Sequence, residues 1–389
     1  MVSGLTQEEN EVMAKKYTYN LGCALFDGYK PCKPYKLCQG CRDEKPLGTR
    51  ILVVNLDALG DVLKTTTLLA AIKRKYKNSH ITWLTGPSAE PLLLNNPYID
   101  RIYTFKLEFI LPLLCETFDV LLNADKTKHA SALSGMIQAK KKFGFGLYQT
   151  GAIVPFNKET AALYNAGLDD EIKFAKNTKS NQQLLAEAWA LDYRGDKYVL
   201  RLTTEEKRFV EDFKKMNRID KNTFVIGVNT GSSVTYPYKR LATPLQIALI
   251  SRIKRLVPQA KIALLGGKED IERNREIAKK LGKTVINTPC DEGLRRGILY
   301  VEACDMVATG DTMALHVAIA LKKPVVAWFT ISCENEIDLY GRGLKVTSHV
   351  DCRPCWKRTC DKKVKCNERL DAKEICEAVL AVYRRYGKQ

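Results

Sequence analysis

The chain has 389 residues, 45% of them hydrophobic and 27% charged, the balance of an ordinary soluble globular protein of about two domains. A formal charge of +18 points to an anionic partner, either nucleic acid, anionic lipid or a phosphorylated sugar, but no zinc-finger, RNA-recognition or oligonucleotide-binding signature accompanies it, which disfavours nucleic acid. No apolar run approaches the roughly 18 residues of a membrane span, and the charged N-terminus lacks the apolar core of a signal peptide, so the expected location is cytoplasmic.

Residues 1–48 form a polar extension broken by Gly28, Pro31, Pro34 and Gly40. Regular α/β alternation begins at Thr49. Residues 51–55 read as a buried strand, followed by a polar turn containing Gly60. A helix then carries Val62, Leu63, Leu68, Leu69 and Ile72 near one face. Residues 81–84, 102–105 and 120–123 read as further short strands, and the glycines of KKFGFGL (141–147) as a turn. Ser180 is placed to cap a helix through Leu184, Leu185, Ala188 and Trp189. Thr203 and Glu206 match a capping box that opens the helix of Phe209, Val210 and Phe213.

A second round of alternation follows. Residues 224–229 read as an apolar strand running into a polar loop, 230–240. Pro244 marks the first turn of a helix with Leu245, Leu249, Ile250, Ile253 and Leu256 at helical spacing. Residues 262–265, 306–309 and 325–329 read as strands, 312–321 as a helix between the last two, and 371–386 as a final helix. Two βα arrays in tandem predict two doubly wound α/β domains with a cleft between them.

The loops at the strand ends carry the candidate chemistry. The first lacks the glycines of the common nucleotide loops but places Asp61 at a helix N-terminus, where the dipole favours its ionised form. An ionised carboxylate facing a cleft can accept a proton from a hydroxyl, although the same position suits a plain helix cap. Asp57, Gly60 and Lys64 surround it. In the second array, Thr230, Gly231, Ser232 and Ser233 offer hydroxyls and backbone N–H groups ahead of Lys239 and Arg240, a composition that suits a phosphate. Gly266 and Glu269 end a nearby strand, where a carboxylate suits a ribose diol. Gly310, Asp311, Thr312, Met313, Ala314 and His316 form a further turn into a helix, suited to a diphosphate and sugar hydroxyls.

In order, LDALGDVLKTTTLLAAI, VIGVNTGSS with YKR, IALLGGKED and CDMVATGDTMALHVAIAL resemble the signatures of family 9 glycosyltransferases, the ADP-heptose heptosyltransferases, from about Thr49 to Leu370. The resemblance implies the GT-B fold: an N-terminal Rossmann-like acceptor domain (49–205), a C-terminal Rossmann-like donor domain (206–370) and a closing helix (371–389), behind the cysteine-rich extension (1–48). It implies inverting transfer without an obligatory catalytic metal. Asp61 would be the general base, and Asp57, Gly60 and Lys64 would lie on the acceptor side. Thr230, Ser232, Lys239, Gly266, Glu269, Gly310, Asp311, Thr312, Met313, Ala314 and His316 would hold ADP-heptose. The sequence departs from the family pattern at Leu241, where tryptophan is common, at Thr330-Ile331 in place of Gly-Pro, and at Asp57 in place of serine.

The expected acceptor is a hydroxyl of an anionic lipopolysaccharide core glycolipid, with peripheral association at the inner membrane. The alternatives are a serine of a secreted protein, a transferase or epimerase for another nucleotide sugar, and a metal-binding scaffold on a degenerate transferase fold. Thirteen cysteines are many for a cytoplasmic chain. Cys23, Cys32, Cys38 and Cys41 form one group and Cys352, Cys355, Cys360 and Cys366 another, each with one C-x2-C pair. That spacing suits structural zinc or iron, or an iron–sulfur cluster. Part of the heptosyltransferase family carries a segment similar to the second group, and some protein-modifying members bind iron through cysteines.

Overall fold

The computed structural model describes residues 19–33 and 38–387; the charged segment 1–17 read as lacking a signal sequence lies outside them. Twelve strands among the described residues form two six-stranded sheets. The first runs β1 (Thr49–Val54), β2 (Ser79–Thr85), β3 (Arg101–Thr104), β4 (Thr117–Asn123), β5 (Gln138–Leu147) and β6 (Ile153–Pro155) along the chain. Its spatial order is β3-β2-β1-β4-β5-β6, parallel except for β6, which runs antiparallel to β5. The second contains β7 (Val225–Asn229), β8 (Lys261–Leu265), β9 (Val285–Asn287), β10 (Met306–Gly310), β11 (Val325–Phe329) and β12 (Gly343–Thr347). It is parallel throughout, in the order β12-β11-β10-β7-β8-β9. The expected two-sheet GT-B architecture is therefore present.

The central strands β1, β2, β4, β7, β8, β10 and β11 are buried on both faces, which is why they read as unbroken apolar runs. In β1, Ile51 and Val53 enter one core and Leu52 and Val54 another. In β7, Val225 and Ile226 divide in the same way. The cluster containing Val53 and Val225 is continuous between the two sheets through Tyr198, Phe213, Tyr300 and Leu315. The last helix, Ala372–Tyr386, opens on the Asp371 side chain, which accepts from the Lys373 N–H. It packs Ile375, Cys376, Val379 and Val382 into the second domain.

Three local expectations need correction. The helix after β1 is two helices, Leu59–Thr65 and Leu68–Lys75. Thr66 and Thr67 turn their hydroxyls back onto the Leu63 and Lys64 carbonyls, which interrupts the helical ladder. KKFGFGL is strand, not turn: it lies within β5, and Gly144 (φ 94°) is a glycine because a Cβ there would sit 1.9 Å from the Asn123 carbonyl oxygen. Strands β9 and β12 carried too few apolar residues to announce themselves. The Ser180 cap and the reciprocal Thr203–Glu206 capping box are both formed.

Each sheet reverses its strand order once, between β1 and β4 in the first and between β7 and β10 in the second. Chain crossovers leave in opposite directions at such a point and open a crevice beyond the strand ends. The loops after β1, β4, β7 and β10 thus hold the residues described next.

Candidate active site

On the side of the first sheet, the loop after β1 is clamped before it reaches Asp61. Asp125, from the loop after β4, accepts hydrogen bonds from Asn55 Nδ2 (2.7 Å) and from the Leu56 N–H, and Thr85 Oγ1 donates to the Asn55 carbonyl (2.9 Å). Burial pushes the Asp125 carboxyl up to about 7 despite those donors. Asp57 follows in an exposed turn, and helix Leu59–Thr65 then carries Asp61 in its first turn. One turn on, Lys64 reaches back, with its Nζ 2.6 Å from Asp61 Oδ1.

Asp61 keeps 52% of its side-chain surface open, whereas Lys64 keeps 8%, so the carboxylate faces the crevice and the ammonium lies beneath it. Partial removal from water in the crevice pushes the Asp61 carboxyl up. The charge and hydrogen bond of Lys64 outweigh that and hold it below its ordinary value. Lys64 itself is disfavoured as a cation by burial, but Asp61 more than compensates and its pKa is raised.

On the side of the second sheet, Lys239 ends a 3-10 turn, Pro237–Lys239, laid against β10. Gly310 permits the approach, since a Cβ there would lie 2.4 Å from the Lys239 carbonyl oxygen. Lys239 Nζ meets Asp311 Oδ2 at 2.7 Å, with both side chains largely buried. Burial pushes the Asp311 carboxyl up, but the charge and hydrogen bond of Lys239 prevail and its pKa is lowered. Thr312 flanks the start of helix Met313–Ala320 and accepts from Asn229 Nδ2 at 3.1 Å, tying the loops after β7 and β10 together. The first N–H groups of a helix have no intrahelical partner, so Met313 and Ala314 open a site for an anion beside Lys239.

The two sides meet at His316. Its imidazole lies against Gly60, where a Cβ would come within 2.5 Å of His316 Cδ2, and its Nδ1 is 3.2 Å from the Tyr198 hydroxyl. Burial, with Lys64 nearby, pushes His316 down to about 4, so the ring is neutral at physiological pH. Asp61, Lys64, His316 and Asp311 act on one another's ionisation, and Glu336 adds a further carboxyl raised mainly by burial. Lys173 of the first domain reaches Glu336 at 3.7 Å.

Several expected residues are placed differently. Thr230 is fully buried, and its hydroxyl donates to Asn274 Oδ1 with the Leu265 carbonyl close by, so it is not presented to a ligand. Ser232 Oγ donates to the Tyr236 carbonyl (3.2 Å) and shapes its own loop. Glu269 is exposed in the 3-10 turn Lys268–Asp270. Its neighbour Asp270 is the carboxylate turned inward, accepting from the Gly267 N–H (2.9 Å) and packing beneath Gly231, while Gly266 leaves room for that side chain. Asp125, Tyr198 and Glu336 had no motif around them, while Asp270 closes IALLGGKED and Trp356 lies within the second cysteine group without having been singled out. Asp125, two residues past an apolar strand end, carried the one usable signal.

The cysteines do not close a metal site. Among the described residues no three His, Cys, Asp or Glu side chains converge as a metal ion requires. Cys23, Cys32, Cys38 and Cys41 are free thiols, with Cys23 packed in a turn where Ala24 N–H donates to the Lys45 carbonyl. Cys352, Cys355, Cys360 and Cys366 are also free, although they lie close enough that burial and the other three thiols push Cys366 up to about 11. As placed, neither group fits the expected zinc, iron or cluster.

Residues 109–365 match glycosyltransferase family 9 (heptosyltransferase). The chain belongs to that family. It is a glycosyltransferase. It is 22% identical over 327 residues to lipopolysaccharide heptosyltransferase 1 of Campylobacter coli, covering 78% of this chain and 92% of that protein. It is 23% identical over 291 residues to the lipopolysaccharide core heptosyltransferase OpsX of Haemophilus influenzae, covering 72% of this chain and 78% of that one. Among solved structures, a family 9 glycosyltransferase from Veillonella parvula superposes with a TM-score of 0.67 at 18% identity, covering 87% and 98% of the two chains. The ADP-heptose lipopolysaccharide heptosyltransferase II of E. coli gives 0.61 at 15%, covering 87% and 99%. The iron-containing dodecameric glycosyltransferase TibC of enterotoxigenic E. coli gives 0.52 at 14%, covering 89% and 81%. Among the described residues no helix is long and apolar enough to cross a membrane.

Proposed function

We propose that this protein transfers heptose from ADP-heptose, with inversion, to a hydroxyl of a lipopolysaccharide core acceptor at the cytoplasmic face of the inner membrane. The observation that carries the reading is the meeting of Asp61, in the first turn of helix Leu59–Thr65, with the Lys239–Asp311 pair of the other domain around His316. The acceptor hydroxyl attacks the anomeric carbon while the bond from that carbon to the diphosphate oxygen breaks. Asp61 takes the hydroxyl proton. The charge appearing on departing ADP is met by Lys239 and by the free N–H groups of helix Met313–Ala320. Neutral His316 closes the crevice against Gly60 and contributes no charge.

Both curated relatives are named as lipopolysaccharide heptosyltransferases, one of them of the core. The chain's +18 charge suits a phosphorylated glycolipid and an anionic leaflet. Leu107 and Leu111, exposed one turn apart on helix Leu107–Cys115, give that leaflet an apolar contact. A protein acceptor is the second reading, supported by the fold likeness to TibC.

The deciding experiment is transfer of labelled heptose to a heptose-free core glycolipid and, separately, to a serine-rich protein acceptor. ADP-heptose is also expected to raise Tm more than UDP- or GDP-sugars do. Equal effects of the three donors, or no transfer to either acceptor, would remove the reading.

A further inference from the structure

Trp356 follows the C-x2-C pair of Cys352 and Cys355 and is the one tryptophan of four outside a hydrophobic core; Trp83, Trp189 and Trp328 are each at most 1% exposed. Its indole lies over the Lys239 ammonium, 4.3 Å from ring centroid to Nζ, with Lys173 of the first domain at 5.2 Å from the same ring. Tyr236 meets it edge-on at 5.7 Å. Lys239 is thus held between a carboxylate, Asp311 at 2.7 Å, and an aromatic face. Such a face orients a cation without neutralising it.

The segment is built to hold the ring there. The N–H groups of Cys355 and Trp356 both donate to the Ile331 carbonyl at 3.0 Å, and Arg353 is paired with Glu334 at 2.5 Å. Trp356 has φ 52°, a conformation costly for a bulky residue and kept only where its surroundings impose it, most often at functional sites. The indole Nε1 is buried and has no hydrogen-bond partner. Indole N–H groups normally find a partner when buried; Trp83 Nε1 in the first core is unpartnered too, but Trp356 Nε1 belongs to the ring that lies over the Lys239 ammonium, where an anionic acceptor would be drawn.

We propose that Trp356 is a donor-site residue, and that the cysteine-rich segment 352–366 is the arm that delivers it. The ring holds the Lys239 ammonium toward the leaving diphosphate, and Nε1–H donates to an oxygen of the sugar diphosphate. This rests on the reading of Lys239 and Asp311 as the donor site. It also gives the segment a task independent of any metal.

Tryptophan emission tests it, using the full-length protein titrated with ADP and, in parallel, isothermal calorimetry. ADP is expected to change the emission of the wild type, and Trp356→Phe is expected to remove most of that change. Trp356→Phe, which keeps the ring but not the N–H, is expected to raise the donor KM by several fold with a smaller effect on kcat, and Trp356→Ala to raise it further. Circular dichroism and Tm show whether each variant is folded. Calorimetric ADP binding with the full emission change and a wild-type KM in Trp356→Phe would overturn the role of Trp356 and leave the donor site standing. Absence of ADP binding to the wild type would overturn the donor site and the proposal with it.

Discussion

The imidazole of His316 rests directly on Gly60, so that the two domains touch at the base of the crevice through the one residue type that leaves room. A Cβ at Gly60 would lie 2.5 Å from His316 Cδ2, a separation real contacts do not reach. Overpacking of this kind costs about 1–3 kcal/mol. Because the contact joins domains, the cost falls on their closure. Gly60→Ala is expected to lower kcat/KM by about tenfold or more, with little change in Tm. Steady-state kinetics beside a melting curve checks it, and unchanged turnover would mean that the reacting state does not use this contact.

Asp61→Asn keeps the shape and the helix start but cannot take a proton. Loss of a general base costs roughly 100- to 10,000-fold in rate. The expected outcome is a fall of that order in kcat with ADP affinity unchanged, measured by turnover and calorimetry together. Retained turnover would assign Asp61 to helix capping.

The Asp61 carboxyl is held below its ordinary value because Lys64 outweighs the effect of enclosure. The base is therefore ionised at any pH above the usual carboxylate range, and the acid limb of kcat/KM is expected below that range. Lys64→Gln leaves enclosure to act without the opposing charge, so the limb moves to higher pH. A profile that does not move on this substitution would show that the limb belongs to another group.

Asp125 provides a stability test with the opposite sign. Its folded pKa is about 7 against an unfolded value near 3.8, so the folded state retains a proton that the unfolded chain releases between those values. The associated stability is fully present below the unfolded pKa and is lost as pH rises through 7. Integrated over the interval this amounts to about 4 kcal/mol at most. Urea midpoints from pH 5 to 8 are expected to fall in the wild type. In Asp125→Asn the slope is expected to flatten, and an equal slope in the two proteins would place the titration elsewhere.

Gly144→Ala probes fold rather than function. The added methyl would lie 1.9 Å from the Asn123 carbonyl oxygen, at φ 94°, between two central parallel strands. A loss of about 3 kcal/mol or more is expected by chemical denaturation. A smaller loss would mean that β4 and β5 separate more readily than their register implies.

The alternation of apolar runs with periodic helices was enough to place the central strands of both sheets, because parallel strands buried on both faces leave an unbroken hydrophobic trace. It was not enough at the Thr66–Thr67 break, where hydroxyls compete with the helix ladder, or at Gly144, where a glycine serves close strand packing and not a turn. The Lys64–Asp61 pair lay within reach of sequence reasoning, since residues three apart share a helix face.

What the sequence determined by itself was therefore the two-domain α/β architecture, the loops that end at its crevice, and the presence there of Asp61, Lys239 and Asp311. What only the tertiary structure decided was which groups confront one another. His316 meets Gly60, Trp356 covers Lys239, Asp125 clamps the loop before Asp61, and the Thr230 hydroxyl turns inward. Hydrophobic period is a local property of the chain and survives in the sequence. The approach of side chains from different strand ends depends on how two sheets pack, and no local pattern records it.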